Sequence, residues 1–354
     1  GAGRQHLFLW PSLLNQQHSN MTEFSRRPSH GGDLRAAVEE FGIHFDDWLD
    51  LSTGINPIGW PVPALPPEIW QRLPEGNDGL EDAAAKYYGT KHLLACAGSQ
   101  QIIQLLPKLL PTGTIAIPSP AYREHYWAWS NHGHKVIEWP ASEPDAAEAL
   151  IERCDYLLLI NPGNPSGQYY KKEQIISWRK KLRTMGKTLI IDEAFIDCTP
   201  DMSVANATGK KGLIVLRSLG KFFGLAGIRS GIVAAWPEML DAIQQELGPW
   251  HLSHPARWVT TKALNDTKWQ QETYSRLLVD SKRLASLIEP LGRCATTPLF
   301  VTCFTDNAAQ LHQLLASKGI WTRLLDHRNG VRFGLPSNDA EFSRLSNAIA
   351  GISP

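Results

Sequence analysis

The chain has 354 residues, 43% of them hydrophobic, with equal numbers of basic and acidic residues. This length allows one large domain and a smaller one, and the composition is that of an ordinary globular protein. A formal net charge of zero argues against a general nucleic-acid or anionic-membrane surface, since both depend on a cationic excess. No stretch of roughly 18 apolar residues occurs, so a transmembrane helix is not predicted.

The five cysteines form no CxxC pair, and most stand in apolar, strand-like surroundings. We therefore interpret them as reduced packing residues of a cytoplasmic protein, and predict neither disulfides nor a metal site. Residues 1–20 precede Met21, which would suit a natural start, and are interpreted as an upstream extension, a cloning remnant or a weak targeting segment. Their apolar run is interrupted by proline and lacks a small-residue cleavage site, so a signal peptide is not expected.

The next part of the chain contains PSHGGD, a predicted helix over 34–41, and the proline-rich run WLDLSTGINPIGWP. This pattern indicates an irregular terminal segment that crosses a domain cleft. Considered alone, His30 is a helix-cap or loop histidine, and Asn56 is a turn residue before proline.

A predicted helix over 80–88 then ends at Gly89, and LLACAGSQQIIQLLPKLL predicts a strand, a turn and a second helix. The turn places the backbone N–H groups of Ser99 and Gln100 at a helix start, where an anion binds readily. A Gly-Ser turn by itself is more often only a cap. Tyr122 follows the next strand at another helix start, where a packing role is equally consistent.

Two apolar strands end in polar residues. DYLLLINPGNPSG carries Asn164 in a loop with two prolines and two glycines, and TLIIDEAFID carries Asp192 at the end of a strand. Ligand sites of α/β proteins gather at the carboxyl ends of parallel strands. A buried carboxylate without a partner is costly, so Asp192 needs a cation beside it.

The stretch LIVLRSLGKFFGLAGIRSG, residues 213–231, is the most informative in the chain. A buried strand leads to Ser218, and Lys221 and Arg229 follow at offsets of 3 and 11 residues. A lone lysine in a glycine-containing turn is usually a surface residue. A hydroxyl, an amine and a guanidinium together are what a pyridoxal phosphate site requires, because the amine bonds the cofactor and the other two hold its phosphate.

This stretch resembles the cofactor-lysine segment of the fold-type-I pyridoxal-phosphate enzymes, on the branch of the class I/II aminotransferases. The resemblance runs from about His30 to the C terminus. It implies an α/β large domain with a mostly parallel sheet over residues 55–250, and a small α+β domain over 251–354 that residues 21–54 join. It also implies a homodimer with the active site at the subunit boundary.

The resemblance implies a role for each motif residue. Lys221 would bond pyridoxal 5'-phosphate, and Asp192 would hold the proton on its pyridine nitrogen. Tyr122 would stack on the ring, and Asn164 would donate to the 3-oxygen. The residues assigned to the cofactor phosphate are Ser99, Gln100, Ser218 and Arg229.

Two positions depart from the aminotransferase pattern. Leu73 stands where those enzymes usually carry a tyrosine that reaches the neighbouring subunit's cofactor phosphate, and Phe195 stands where they carry a tyrosine hydroxyl. Phe195, HGGD and STGINP instead resemble the threonine-phosphate decarboxylases of cobalamin biosynthesis, whose N-terminal segment contacts substrate. The residues then assigned to substrate are His30, Gly31, Asn56, Asn164, Arg323 and Arg332.

The cofactor motifs alone do not determine which bond at the α-carbon breaks. Arg323 in IWTRLL and Arg332 in VRFGLP, both interpreted as strands, suit a substrate with a carboxylate and a phosphate. Alternation predicts that Arg323 shares a strand face with Trp321. We expect decarboxylation of O-phospho-L-threonine to (R)-1-aminopropan-2-yl phosphate. The alternatives are a histidinol-phosphate-like aminotransferase and a cofactor-binding scaffold without turnover, and the complete cofactor set argues against the scaffold.

Overall fold

The computed structural model describes residue 28 and residues 30–352, so the predictions for residues 1–20 and for the start of the N-terminal segment lie outside the described residues. The strands of the described part are β1 (Leu49–Asp50), β2 (Leu93–Cys96), β3 (Thr114–Ser119), β4 (Lys135–Pro140), β5 (Tyr156–Ile160), β6 (Thr188–Asp192), β7 (Leu213–Ser218), β8 (Gly231–Ala234), β9 (Arg293–Thr297), β10 (Phe300–Phe304), β11 (Ile320–Trp321), β12 (Arg323–Leu324) and β13 (Gly330–Gly334).

Helices connect and cover these strands. They are α1 (Leu34–Phe41), α2 (Pro67–Gln71), α3 (Leu80–Tyr88), α4 (Ser99–Leu109), α5 (Arg123–Asn131), α6 (Pro144–Leu150), α7 (Lys172–Thr184), α8 (Pro237–Leu247), α9 (His254–Asn265), α10 (Thr267–Ile288), α11 (Ala308–Ala316) and α12 (Asp339–Ala350). The predicted bounds of α1 and α3 are confirmed. Both helices end at a glycine in the left-handed region, Gly42 and Gly89, where a side chain would be strained.

A seven-stranded sheet forms the larger part of the molecule. Its strand order is β2-β8-β7-β6-β5-β3-β4, and only β8 runs opposite to the others. Along β5, Leu157 and Leu159 face one hydrophobic cluster, whereas Leu158 and Ile160 face a second. Because alternate residues of a strand point to opposite faces, both faces of the sheet are covered, which explains why these strands are apolar throughout. The predicted α/β class with a mostly parallel sheet is confirmed.

The central strands bring their carboxyl ends to one edge. Ile160 of β5 pairs with Asp192 of β6, and Asp192 pairs with Leu216 of β7. The polar residues that end β6 and β7, Asp192 and Ser218, therefore lie on neighbouring strands. The same edge receives the start of α4.

A second sheet of four antiparallel strands, in the order β12-β13-β10-β9, is formed by the C-terminal part of the chain. The predicted strands and the final helix are found there. One prediction about IWTRLL is wrong: the run is not a single strand. Trp321 belongs to β11, which pairs in parallel with β1, and Arg323 belongs to β12, which pairs with β13.

The change of partner at Thr322 has a structural cause. The backbone N–H of Leu51 donates to Trp321 O at 2.7 Å, so the residues before Thr322 pair with the N-terminal segment. The backbone after it pairs with β13. The N-terminal segment is thus bound to the C-terminal part, while the predicted domain boundaries remain predictions. Within the part of the chain that the structure describes, no helix combines the length and apolar character needed to cross a bilayer.

Candidate active site

Asp192 lies at the carboxyl end of β6 and is buried. Its Oδ2 is 2.8 Å from His125 Nε2, and its Oδ1 accepts a hydrogen bond from the Ala194 backbone N–H at 3.0 Å. These partners compensate for the removal of the carboxylate from water. Sequence reasoning missed His125, although its position three residues after Tyr122 places it one helical turn further on α5.

Lys221 follows β7 and is partly buried. Burial lowers the pKa of Lys221 to about 8. The positive charges of Arg332 and Arg229 also lower this pKa, whereas the negative charge of Asp192 raises it. The Lys221 Nζ lies 5.5 Å from the centroid of the Phe195 ring. An amine with this pKa is partly neutral near physiological pH, and only the neutral form is a nucleophile.

The turn that carries Lys221 depends on close backbone packing. Lys221 O accepts from the N–H groups of Asn56 and Gly224, at 3.0 and 3.1 Å. Gly224 has a φ of 66°, and a Cβ there would lie 2.5 Å from Gly59 Cα. Both facts require glycine at 224.

Asn56 is placed differently from the prediction. Its Nδ2 donates to Phe222 O at 2.8 Å, and its Oδ1 accepts from Ile58 N and from Arg276 Nη2, at 3.0 and 2.8 Å. Asn56 is buried and does not line the cleft that contains Lys221. The structure therefore places it behind the lysine turn, which it supports, and its contact with substrate remains a prediction.

Several polar groups gather around the start of α4. The Arg229 guanidinium lies so close to Gly98 that a Cβ on Gly98 would be 2.8 Å from Nη2, and a Cβ on Gly231 would be 2.8 Å from Ser99 N. Ser218 pairs with Gly231 in the sheet, and its Oγ accepts from Gly220 N at 3.2 Å. A hydroxyl, a guanidinium and a helix N terminus together suit an anion.

A cleft of about 240 Å³ lies beside Lys221. The predicted site residues that line it are His30, Gly31, Tyr122, Asn164, Lys221, Arg323 and Arg332. Phe195 also lines it. Because these residues come from both sheets and from the N-terminal segment, the cleft lies between the large sheet and the small one.

Arg332 of β13 is buried, and no carboxylate pairs with it among the described residues. Its Nη1 donates to Asn164 Oδ1 at 2.5 Å and its Nη2 donates to Ser52 O at 2.7 Å, while its buried Nε has no partner there. Burial and the neighbouring Arg323 lower the pKa of Arg332 to about 10. A buried cation in this state favours an anionic ligand.

The contacts of Asn164 and Arg323 shape the same cleft. Since Asn164 Oδ1 is taken by Arg332, the amide Nδ2 is the group that can donate to a ligand. Arg323 stands opposite Arg332 in the sheet and pairs with Asp326 at 3.0 Å. Two guanidinium groups therefore lie on neighbouring strands beside the lysine.

The aromatic wall of the cleft is tied to α4. Tyr122 donates from its hydroxyl to Gln100 Oε1 at 3.1 Å, and Gln100 Nε2 donates to Glu124 Oε2 at 2.6 Å. Burial raises the pKa of the Tyr122 hydroxyl. The Gln100 side chain thus bonds both Tyr122 and Glu124, and its contact with the cofactor phosphate remains a prediction.

Behind the site, a buried ionic cluster locks the ends of β6 and β7 together. Arg217 Nη1 lies 3.2 Å from Glu193 Oε2, and Arg217 Nη2 also bonds Asp197. Glu193 accepts from Ser203 Oγ at 2.6 Å. Sequence reasoning missed this cluster, although Glu193 and Arg217 stand directly beside Asp192 and Ser218. It positions the residues of the site without lining the cleft.

The residues present fit pyridoxal phosphate. A partly neutral amine and a buried carboxylate interact electrostatically, and Tyr122 offers a ring at the cleft wall. The polar groups at the start of α4 suit a phosphate. The Asn164 amide supplies a further donor. Among the described residues, no group of three or more His, Cys, Asp or Glu side chains could hold a metal ion.

Comparison with known proteins agrees with this geometry. The model of the family "Aminotransferase class I and II" matches residues 73–332. A threonine-phosphate decarboxylase of Pseudomonas aeruginosa is 42% identical over 325 residues, which cover 91% of this chain and 97% of that protein. One from a Sinorhizobium species is 37% identical over 335 residues, with 91% and 97% covered.

A solved structure extends the comparison to the fold. The histidinol-phosphate aminotransferase of Sinorhizobium meliloti, in complex with pyridoxal-5'-phosphate, aligns with a TM-score of 0.77 at 18% identity. The alignment covers 95% of this chain and 99% of that one. At this identity the match concerns the fold alone, and it agrees with the two sheets described above.

Proposed function

The chain belongs to the aminotransferase class I and II family, and from that premise we propose that it is a pyridoxal-phosphate-dependent decarboxylase of O-phospho-L-threonine. The observation that carries this proposal is the 42% identity to a threonine-phosphate decarboxylase across 97% of that protein. The products are carbon dioxide and (R)-1-aminopropan-2-yl phosphate, a component for cobalamin biosynthesis.

The cofactor and the protein divide the chemistry between them. Pyridoxal phosphate, when bound, supplies an electron sink for the pair left on the α-carbon of the substrate. Lys221 supplies the amine that bonds the cofactor, and its lowered pKa keeps part of that amine unprotonated. Asp192, fixed by His125, supplies the negative charge that holds a proton on the ring nitrogen.

Substrate charges account for the choice of bond. Groups that anchor the substrate phosphate would fix the orientation of the α-carbon, and that orientation would select the bond that breaks. His30, Arg323 and Arg332 line one side of the cleft and can bind the phosphate and the carboxylate. Once the Cα–carboxylate bond breaks and carbon dioxide leaves, a proton from Lys221 or from water takes its place on the α-carbon.

Phe195 supports decarboxylation over amine exchange. Its ring lines the cleft and packs edge-on against Phe300, at 5.2 Å between centroids. A Cβ on Gly54 would lie 2.9 Å from the Phe195 ring, so the N-terminal segment closes tightly over it. A phenyl ring offers no hydroxyl to the cofactor, and this agrees with the decarboxylase pattern found in the sequence.

The experiment is a product analysis. The purified holoenzyme is incubated with O-phospho-L-threonine, and the phosphorylated products are identified by ³¹P NMR and mass spectrometry. We expect 1-aminopropan-2-yl phosphate without any added oxo acid. Absence of this amine, together with conversion of the cofactor to its pyridoxamine form and dependence on 2-oxoglutarate, would instead identify an aminotransferase.

We also propose that the enzyme is a cytoplasmic homodimer. Trp70, Leu73 and Trp250 expose 67%, 59% and 60% of their surface, which is unusual for large apolar side chains. Trp70 and Leu73 are close in sequence to Arg72 and Trp250 is close to His254, and His254 Nδ1 donates to Arg72 O at 3.1 Å. A second copy of the chain would cover this surface, and sedimentation equilibrium would measure the mass of the dimer or of a monomer. The cytoplasmic location is supported by the five free cysteines.

A further inference from the structure

Glu124 is a carboxylate buried beside the cleft that no step above uses. It is the second residue of α5 and is 1% exposed. Three side chains donate to it: Gln100 and Gln104 to Oε2, at 2.6 and 2.8 Å, and His30 Nε2 to Oε1 at 2.8 Å. The two amides occupy one oxygen and leave the other to the histidine.

The segment that carries His30 is fixed on its other side as well. Gly32 N donates to Ser52 Oγ at 2.8 Å, and a Cβ on Gly31 would lie 2.3 Å from Ser52 O. That same carbonyl accepts from Arg332 Nη2. The imidazole therefore has a defined place between Glu124 and the guanidinium side of the cleft.

The orientation of the His30 ring determines which nitrogen reaches a ligand. A carboxylate only accepts hydrogen bonds, so the proton of this contact belongs to Nε2. Among the described residues Nδ1 makes no hydrogen bond, and the ring lines the cleft. A doubly protonated ring can donate from Nε2 to Glu124 and from Nδ1 to a phosphate oxygen.

We propose that Glu124 is a positioning residue that holds His30 so that Nδ1 binds the phosphate of the substrate, which makes the cleft selective for phosphorylated ligands. This inference rests on the proposed function, since it takes the substrate to be a phosphorylated amino acid. The two glutamines hold the carboxylate in place, and the start of α5 favours its negative charge. A neighbouring cavity is also lined by His30, together with Arg323, Asp326 and Arg328.

The selectivity can be measured without turnover. The holoenzyme is titrated calorimetrically with 1-aminopropan-2-yl phosphate and with 1-aminopropan-2-ol, neither of which carries a carboxylate to lose. For Glu124→Gln we expect binding of the phosphorylated amine to weaken about 10- to 100-fold, because a charge-assisted contact is lost. Binding of the unphosphorylated amine should change less than about threefold. Glu246→Gln, an exposed glutamate of α8, is the matched control and should alter neither.

A double-mutant cycle separates positioning from general support of the fold. His30→Ala should weaken binding of the phosphorylated ligand by a similar factor. Adding Glu124→Gln to His30→Ala should weaken that binding only slightly further. Glu124→Asp keeps the charge and should be less impaired than Glu124→Gln, which also provides a variant if the glutamine protein does not fold. Equal losses for both ligands, or additive losses in the cycle, would overturn the proposal. Failure of the proposed function would appear instead as absent carbon dioxide release with the binding selectivity intact.

Discussion

The two sides of the cleft are built in different ways. On the cofactor side, Asp192 and Ser218 end neighbouring strands of one sheet, and Lys221 follows three residues after Ser218. On the substrate side, Arg332 comes from the small sheet and His30 from the N-terminal segment, 302 residues away in the chain. The residues of the cofactor side come from neighbouring strands of one sheet, whereas those of the substrate side come from segments far apart in the chain.

This difference has a functional meaning. Groups at the carboxyl ends of parallel strands are held by the sheet itself and by the ionic cluster around Arg217. In their proposed roles they would serve any reaction that needs the cofactor. The substrate side is held by a few specific contacts, such as Arg332 with Ser52 O. Changes on the cofactor side should therefore affect all turnover, and changes on the substrate side should affect selectivity.

The largest effect is expected for Lys221→Ala. Without this amine the protein cannot bond the cofactor covalently, and kcat should fall at least about a thousandfold. The absorbance band at the edge of the visible range that is expected of the covalently bound cofactor should be absent. Lys108→Ala, at an exposed lysine of α4, is the control and should keep both activity and band. A persistent band in Lys221→Ala would place the cofactor on another amine.

Asp192→Ala tests the next contribution on the cofactor side. In its proposed role the carboxylate stabilises charge that develops during the reaction, so we expect kcat to fall about 100- to 1,000-fold with any phosphorylated substrate. His125→Phe removes only the residue that orients Asp192, and we expect kcat to fall about tenfold. Steady-state kinetics would rank the two variants, and a larger loss for His125→Phe would contradict the assignment of Asp192 as the acting group.

Arg332→Met probes the substrate side. We expect kcat/KM for O-phospho-L-threonine to fall about 10- to 100-fold because a charge-assisted contact is lost. The cofactor spectrum should be unchanged. The melting temperature should stay the same or rise, since a buried cation without a carboxylate partner is replaced by an apolar side chain. Loss of the cofactor from this variant would show that the two sides are not separable.

A smaller effect concerns the pH dependence of cofactor loading. Burial lowers the pKa of Lys221 to about 8, and the neutral amine is the reactive form. The rate at which the apoenzyme takes up pyridoxal phosphate should therefore increase with pH and level off above about pH 8. Stopped-flow absorbance would measure this rate. A rate that keeps rising toward the ordinary lysine pKa would contradict the electrostatic description.

The same contrast explains how much the sequence could predict. The positions of Asp192 and Lys221 were predictable because an apolar strand with a polar terminus implies a sheet edge. Their roles, which the neighbouring motifs indicate, remain predictions. Their partner His125 was not predicted, since one histidine in a helix carries no distinctive pattern. Spacing also says nothing about contacts between Glu124 and His30, which are 94 residues apart.

One prediction failed for a related reason, and one residue has contacts that its motif did not suggest. Asn56 stands in the motif that suggested substrate contact, and its side chain bonds the Phe222 carbonyl, Ile58 and Arg276. IWTRLL alternates like one strand, but Thr322 marks a change of partner between the N-terminal segment and β13. Local pattern determines the type of an element, whereas competition among distant backbone segments determines its partners.

The most direct test of the account is the fate of the carboxylate of the substrate. The holoenzyme is supplied with O-phospho-L-threonine labelled with ¹³C at the carboxylate, in deuterated water and without an oxo acid. We predict one labelled carbon dioxide and one deuterium on the former α-carbon for each molecule of 1-aminopropan-2-yl phosphate. If the label stayed in a phosphorylated oxo acid and the amine moved to the cofactor, decarboxylation by this enzyme would be contradicted.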